Sequence, residues 1–172
     1  MSGVSIATGV IATDALGGGA GRGLQSPGSL GVSGVGVPVT GTTNETTLAT
    51  IGIPASAMGI NGYTRIWTLW TATNSANNKT IRVRLGGSVV FSSVVTTTPN
   101  GSTVVEIWNR GALNSQISNN SSTGAGLGFT GNAWTTTAID MSVAQNITIT
   151  GQLANSGETI TLEAYTVELI NP

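Results

Sequence analysis

Three β-strands joined by two polar turns are predicted in YTRIWTLWTATNSANNKTIRVRLGGSVVF, residues 63–91. Threonine, valine, isoleucine and tryptophan fill the strand positions, and these residues fit a pleated, half-buried surface. Ile81, Val83 and Leu85 alternate with threonine and arginine, and this period of two predicts a strand with one buried face. Gly86-Gly87 suits a two-residue hairpin, because glycine adopts the positive φ angles that such turns require.

The composition indicates a single domain with a weakly charged surface. The chain has 172 residues, enough for one hydrophobic core but short for two. Only 8% of the residues are charged, against about 25% in an average domain, and the net charge is −1. Such a surface has little attraction for polyanions. We therefore expect neither nucleic acid nor a membrane as a partner.

The chain contains no cysteine and no histidine. Catalysis by a serine–histidine or cysteine–histidine pair is therefore excluded, as are zinc sites built on these residues. The glycine-rich stretch GGGAGRG, residues 17–23, lacks the spacing and the strand–helix setting of a phosphate-binding loop. No cofactor or metal is predicted.

The acidic residues do not form a recognisable catalytic pattern. A glycosidase needs two carboxylates about 5–10 Å apart across a cleft. Glu106 and Asp140 are the candidates, but nothing in their spacing requires them to meet. Solvated strand faces and loop ends account for them equally well, so no enzymatic activity is expected.

Residues 1–45 differ in composition from the rest and are predicted to form an extended arm. They hold twelve of the 25 glycines, and no apolar period persists through them. We expect small apolar side chains to dock this arm in a groove of a partner. An arm folded back on its own body is the alternative. The docking side chains are Val4, Ile6, Val10, Ile11 and Leu16.

Residues 46–172 are predicted to form an all-β body, an antiparallel β-sandwich of the jelly-roll type. Turn signals recur every 8–15 residues, which is the spacing of short strands in a sandwich. One short helical turn is predicted at Pro54–Gly59, since proline suits a first helical position. The predicted strands are 46–53, 63–73, 79–85, 88–96, 102–109, 112–118, 132–140, 145–151 and 158–169.

The tryptophans are the candidate contact residues of the body. Trp67 and Trp70 have an odd spacing, so they face opposite sides of one strand. We expect one of them in the core and the other at a subunit interface or a ligand. Trp108 and Arg110, with Asn109 between them, could form a sugar-stacking site. Packing in the core or between subunits is the favoured alternative.

Several turn and strand motifs of the body are shared with one group of proteins. They are Ile53-Pro-Ala55, Gly59, Asn61-Gly62, TNSANNKTIRVRLGG at 73–87, VEIWNRG at 105–111 and Asn114-Ser-Gln116. In these motifs the body resembles small virion proteins of tailed bacteriophages and prophages. The resemblance covers residues 46–118 and is looser beyond them. It implies a jelly-roll domain, usually trimeric, on the phage particle, and it implies no catalytic residues.

These observations together predict a virion structural protein. Residues 1–16 lack the basic start of a signal peptide, and no apolar run is long enough to span a membrane. A durable β-protein without an export signal fits a particle that is assembled in the host cytoplasm and released by lysis. We expect a homo-oligomeric capsid decoration or minor capsid protein, a trimer by preference, docked on a major capsid or other virion protein. A fibre tip that binds a host receptor or surface glycan is the alternative, and a virion-borne polysaccharide hydrolase is a third reading.

Overall fold

The computed structural model describes residues 28–119 and 134–171. Their regular secondary structure consists of β-strands. In chain order these are β1 (Gly28–Ser33), β2 (Val37–Thr40), β3 (Thr46–Ile53), β4 (Tyr63–Ala72), β5 (Lys79–Leu85), β6 (Ser88–Val95), β7 (Asn100–Asn109), β8 (Gln116–Ser118), β9 (Thr135–Thr137), β10 (Gln145–Leu153) and β11 (Thr159–Ile170).

The strands form two antiparallel sheets that pack face to face. The large sheet has the order β1-β11-β4-β7-β8-β9, and β2 also pairs with β11. The small sheet has the order β3-β10-β5-β6. This confirms the predicted antiparallel β-sandwich, whereas the jelly-roll topology stays a prediction.

The core lies between the two sheets. It is built by every second residue along each strand, whose side chain points inward. On β5, the side chains of Ile81, Val83 and Leu85 are buried, while the intervening arginines are only partly covered. On β4, Ile66 and Trp70 are buried against them. Removing these side chains from water is the main favourable term in the stability of the body.

Residues 28–45, which the sequence analysis assigned to the arm, contain two strands of the large sheet. β1 and β2 both pair with β11, and Val39 is buried in the core. Glycine permits this close packing. A Cβ added to Gly31 would lie 3.1 Å from Ile51 Cγ1 on the small sheet. Gly31 therefore marks a close approach of the backbone to the other sheet rather than only the freedom of an arm.

Two local turn predictions have different outcomes. Gly86 and Gly87 have φ angles of 54° and 84°, as expected for the hairpin between β5 and β6. Residues 54–59, predicted as a helical turn, instead form successive tight turns. Ser56 has a φ of 59°, outside the right-handed helical region, so the helix cannot continue through it.

The turn between β4 and β5 is held by a buried ion pair. The side chain of Lys79 is fully buried, and its Nζ donates to Ser75 Oγ (2.8 Å) and to the Asn77 carbonyl (2.8 Å). Nζ also lies 3.3 Å from Glu158 Oε2. Asn77 and Ser75 donate to the other Glu158 oxygen, and these bonds lower the pKa of that carboxyl. The polar residues of TNSANNK thus close one end of the sandwich.

Candidate functional site

The outer face of the large sheet carries the exposed aromatic side chains of β4 and β7. Along β4 the residues alternate, so that Tyr63, Arg65 and Trp67 point away from the core. Register places Trp108 of β7 beside Tyr63, and Glu106 beside Arg65. Side chains that are far apart in sequence therefore form one surface.

Tyr63 and Trp108 stack on each other across the two strands. Their ring centroids are 3.8 Å apart, and the ring planes differ by 11°. The Arg65 guanidinium lies 5.7 Å from the Tyr63 ring centroid, within reach of a cation–π contact. Because each ring covers one face of the other, the pair stands as a rigid ridge on the sheet.

An exposed ion pair lies beside this ridge. Arg65 Nε donates to Glu106 Oε1 at 2.9 Å, which raises the pKa of the guanidinium. Trp108 Nε1 donates weakly to Glu106 Oε2 at 3.4 Å. On β11, Glu168 is the register partner of Arg65, so a row of alternating charge crosses three strands.

A second row on the same face is apolar. Trp67 is 38% exposed and lies between Val104 of β7 and Thr166 of β11. Val32 of β1 is 70% exposed and pairs with Thr166. We call this surface the aromatic face and define it by Tyr63, Trp67, Trp108, Val104 and Val32. Exposed apolar surface that continues over several strands marks an interaction site in soluble proteins.

The remaining predicted contact residues do not join the aromatic face as a group. Trp70 is 4% exposed, and its Nε1 donates to Thr68 Oγ1 at 2.6 Å, so Trp70 is the core member of the tryptophan pair. Asn109 is buried and accepts a bond from Gln116 Nε2 at 2.9 Å. Arg110 is exposed in the turn beyond β7. The residues predicted to form a sugar-stacking site are therefore separated: Trp108 lies on the outer surface, and Asn109 lies in the interior. The predicted arm contacts Val4, Ile6, Val10, Ile11 and Leu16 lie outside the described residues.

The outer face of the small sheet carries a network of charges that are bonded to one another. Glu45, just before β3, accepts bonds from Arg84 Nε (2.9 Å) and Nη2 (2.8 Å) and from Arg82 Nη1 (3.2 Å). Thr150 Oγ1 donates to the same carboxylate at 2.6 Å. These bonds, with that from Arg84 the largest, lower the pKa of Glu45 to about 2. The sequence analysis did not predict this pairing, because two strands, β3 and β4, lie between Glu45 and β5 in the chain.

The two carboxylates considered for glycoside hydrolysis have separate structural contacts. Glu106 is bonded to Arg65 on the large sheet. Asp140 accepts bonds from the backbone and side chain of Ser142, and these bonds lower its pKa. Within residues 28–119 and 134–171 we find no cluster of three or more acidic residues that could hold a metal ion. In the same ranges there is no helix long and apolar enough to cross a membrane.

A cleft of about 340 Å³ opens between β6 and β7 at one end of the sandwich. Its floor is formed by apolar side chains of both sheets: Trp70, Ile81, Phe91 and Ile160. Serine, threonine and asparagine side chains form its rim, and no charged residue lines it. Gly101, the register partner of Trp70, leaves the opening uncovered. Gly101, a glycine within a strand, is the one feature of the sequence that could have indicated this cleft.

Comparisons with known proteins give only distant likenesses. No family model and no curated protein match the chain. The dimeric latent PorU of Porphyromonas gingivalis is similar at 9% identity and a TM-score of 0.39, over 80% of this chain and 12% of PorU. The structure of infectious bursal disease virus strain Gx is similar at 9% identity and a TM-score of 0.27, over 86% and 40%. The chain spans a minor part of both proteins, and neither likeness bears on its function.

Proposed function

We propose that this protein is a structural component of a bacteriophage virion that assembles with copies of itself through the aromatic face. The observation that carries the proposal is the position of the exposed aromatic residues. Trp67 and the Tyr63–Trp108 pair lie on the same side of one sheet, on neighbouring strands. Aromatic residues are enriched at protein interfaces, where they supply large contact areas with little loss of conformational entropy.

A second copy is the partner that best fits this face. The charge row of Glu168, Arg65 and Glu106 holds both signs, so a rotated copy can place its arginine against a carboxylate. The weak net charge of −1 opposes association very little. A trimer, and docking of the particle-bound oligomer on a major capsid protein, remain part of the proposal through the resemblance to phage virion proteins.

A flat sugar platform fits the same face less well. Carbohydrate rings stack on open aromatic faces, whereas Tyr63 and Trp108 cover one face of each other. Asn109, the amide that would accompany Trp108, points into the core and is bonded there. We therefore place assembly before glycan binding, and we propose no catalytic role.

The oligomeric state of two matched lysine variants tests the proposal. Trp67→Lys places a charge at the centre of the aromatic face, and Thr50→Lys places one at an exposed position on the outer face of the small sheet. Light scattering at micromolar concentration should show that Trp67→Lys shifts the protein to monomer, while Thr50→Lys leaves the oligomer intact. Circular dichroism should show that both variants are folded. A folded Trp67→Lys protein with the wild-type mass would overturn the proposal.

The copy number on the particle distinguishes the two virion roles. A decoration or minor capsid protein is present at many copies in the symmetry of the capsid, and a fibre tip at few. Quantitative mass spectrometry of purified particles, with the major capsid protein as the internal standard, measures this ratio. Many copies are expected here, and a handful would move the protein to a fibre.

A further inference from the structure

We infer that the cleft between β6 and β7 receives the N-terminal segment of a neighbouring copy, residues 4–10, as an added strand. The inference deepens the proposed self-assembly and rests on it for the neighbouring copy. The cleft and the aromatic face are separate surfaces, since Trp70 points into the body and Trp67 points away from it.

The cleft has the shape and chemistry of a site for apolar side chains on an extended backbone. Its floor of Trp70, Ile81, Phe91 and Ile160 is apolar, and its lining includes no charged side chain. β6 is the last strand of the small sheet, and in the described ranges no strand pairs with its outer side. The Val90 carbonyl accepts a bond from Ser118 Oγ, so an extended segment can pair with the backbone of β6 beyond Val90 while alternate side chains enter the cleft.

The beginning of the chain has a matching pattern. Val4, Ile6, Thr8 and Val10 alternate with Ser5, Ala7 and Gly9, so one side of an extended segment is β-branched and the other small. Residues 1–13 contain no charged side chain, in keeping with the uncharged lining. A β-branched face suits the apolar floor, and the small face lets the segment lie close to the sheet.

The geometry favours a neighbouring copy as the source of this segment. The described chain begins at Gly28, whose register partner Leu169 lies opposite Thr64 of β4. The cleft lies at the other end of β4, beside Trp70, and β11 and β4 separate β1 from β7. The described chain therefore begins at the opposite end of the sandwich from its own cleft.

Photo-cross-linking in the full chain tests the inference. A photoreactive p-benzoylphenylalanine replaces Ile6, and light and ¹⁵N-labelled chains are mixed and refolded together before illumination. We expect cross-links from position 6 to peptides that contain Phe91 or Gly101, and we expect heavy–light pairs among them. An excess of a synthetic peptide of residues 1–13 should compete with these cross-links.

Two glycine variants provide the matched control. A Cβ at Gly101 or at Gly34 meets no atom within 4 Å, so a side chain can begin at both positions without a clash. Gly101→Leu fills the mouth of the cleft and should abolish the cross-links, whereas Gly34→Leu, between β1 and β2, should leave them unchanged. Because the peptide competition uses the unfilled cleft, the test does not depend on the folding of Gly101→Leu.

Three results would overturn the inference: cross-links outside the cleft, pairs that are only light–light and heavy–heavy, or cross-links that survive both Gly101→Leu and the peptide. These outcomes are distinct from failure of the proposed function. If the chain assembles through Trp67 but position 6 reacts elsewhere, only the cleft inference falls. If cleft cross-links form in an assembly that is insensitive to Trp67→Lys, the proposed role of the aromatic face falls instead.

Discussion

The outer faces of the two sheets differ in how far the chain bonds its own exposed groups. On the small sheet, Arg82 and Arg84 are bonded to Glu45, and the exposed apolar residues are two valines on β6. On the large sheet, two tryptophans and a tyrosine lie together around one exposed ion pair. The arginines of β5 thus stabilise the fold, whereas the aromatic face of the large sheet is exposed and can contact a partner. Charge in a strand is a poor guide to the binding surface of this molecule.

The largest expected difference in stability is between alanine variants of the two tryptophans of β4. Trp70→Ala removes a buried side chain and should lower the free energy of unfolding by about 3–5 kcal/mol. Trp67→Ala removes a partly exposed one and should lower it by about 1 kcal/mol, while weakening self-association. Urea unfolding followed by circular dichroism measures both energies. If both variants lost the same free energy of unfolding, the assignment of Trp70 to the core and Trp67 to the outer face would be wrong.

A second contrast concerns two cations on β5. Lys79→Met leaves Glu158 buried without its counter-charge and should destabilise the protein by about 3 kcal/mol or more. Arg82→Met removes one of three donors to Glu45 at a partly exposed position, and about 1 kcal/mol or less is expected. Urea midpoints at constant protein concentration provide the comparison. A mild effect of Lys79→Met would show that the ion pair contributes little to closing this end of the sandwich.

Local sequence patterns predicted most strands of the body. β3 and β5 begin and end where the alternation and turn residues place them, at 46–53 and 79–85. These signals depend only on neighbours in the chain. By contrast, β8 and β9 are shorter than predicted, because their ends are set by pairing with β7 and with each other. β1 and β2 were missed because β11, more than one hundred residues away, determines their pairing.

The candidate site was predictable only in part, for the same physical reason. The odd spacing of Trp67 and Trp70 places them on opposite faces. It does not say which face is buried, since the position of the other sheet decides that. The Tyr63–Trp108 stack depends on the register between β4 and β7, and the cleft depends on where β6 and β7 diverge. Neither is encoded in any short segment.

A smaller difference in stability is expected between glutamine variants of one carboxylate on each outer face, Glu45 and Glu106. Glu45→Gln removes a carboxylate that accepts bonds from two arginines and a threonine, and about 1–2 kcal/mol of stability should be lost. Glu106→Gln alters an exposed pair with Arg65, for which about 0.5 kcal/mol is expected. Urea unfolding at pH 7 measures both variants. A larger loss for Glu106→Gln would reverse the assignment of structural charge to the small sheet.

The pH dependence of stability isolates the contribution of Glu45. The hydrogen bond from Arg84 is the largest cause that lowers the pKa of this carboxyl from 4.5 to about 2 in the folded state. A lowered folded pKa means that the folded state favours the ionised form. The stabilisation is therefore complete above pH 4.5 and is lost as the pH falls toward 2.

Glu45→Gln provides the control for this titration, because glutamine resembles the protonated carboxyl in size and carries no charge. Urea unfolding of the wild type and Glu45→Gln between pH 7 and pH 2 should give two curves that differ most at neutral pH. The curves should approach each other as the pH falls below 4.5, since the wild type then loses the contribution that the variant lacks. Other carboxylates with lowered pKa values, Glu158 and Asp140, titrate in both proteins and do not affect the difference. A constant separation of the two curves across this range would show that Glu45 stabilises the small sheet by packing and not by its charge.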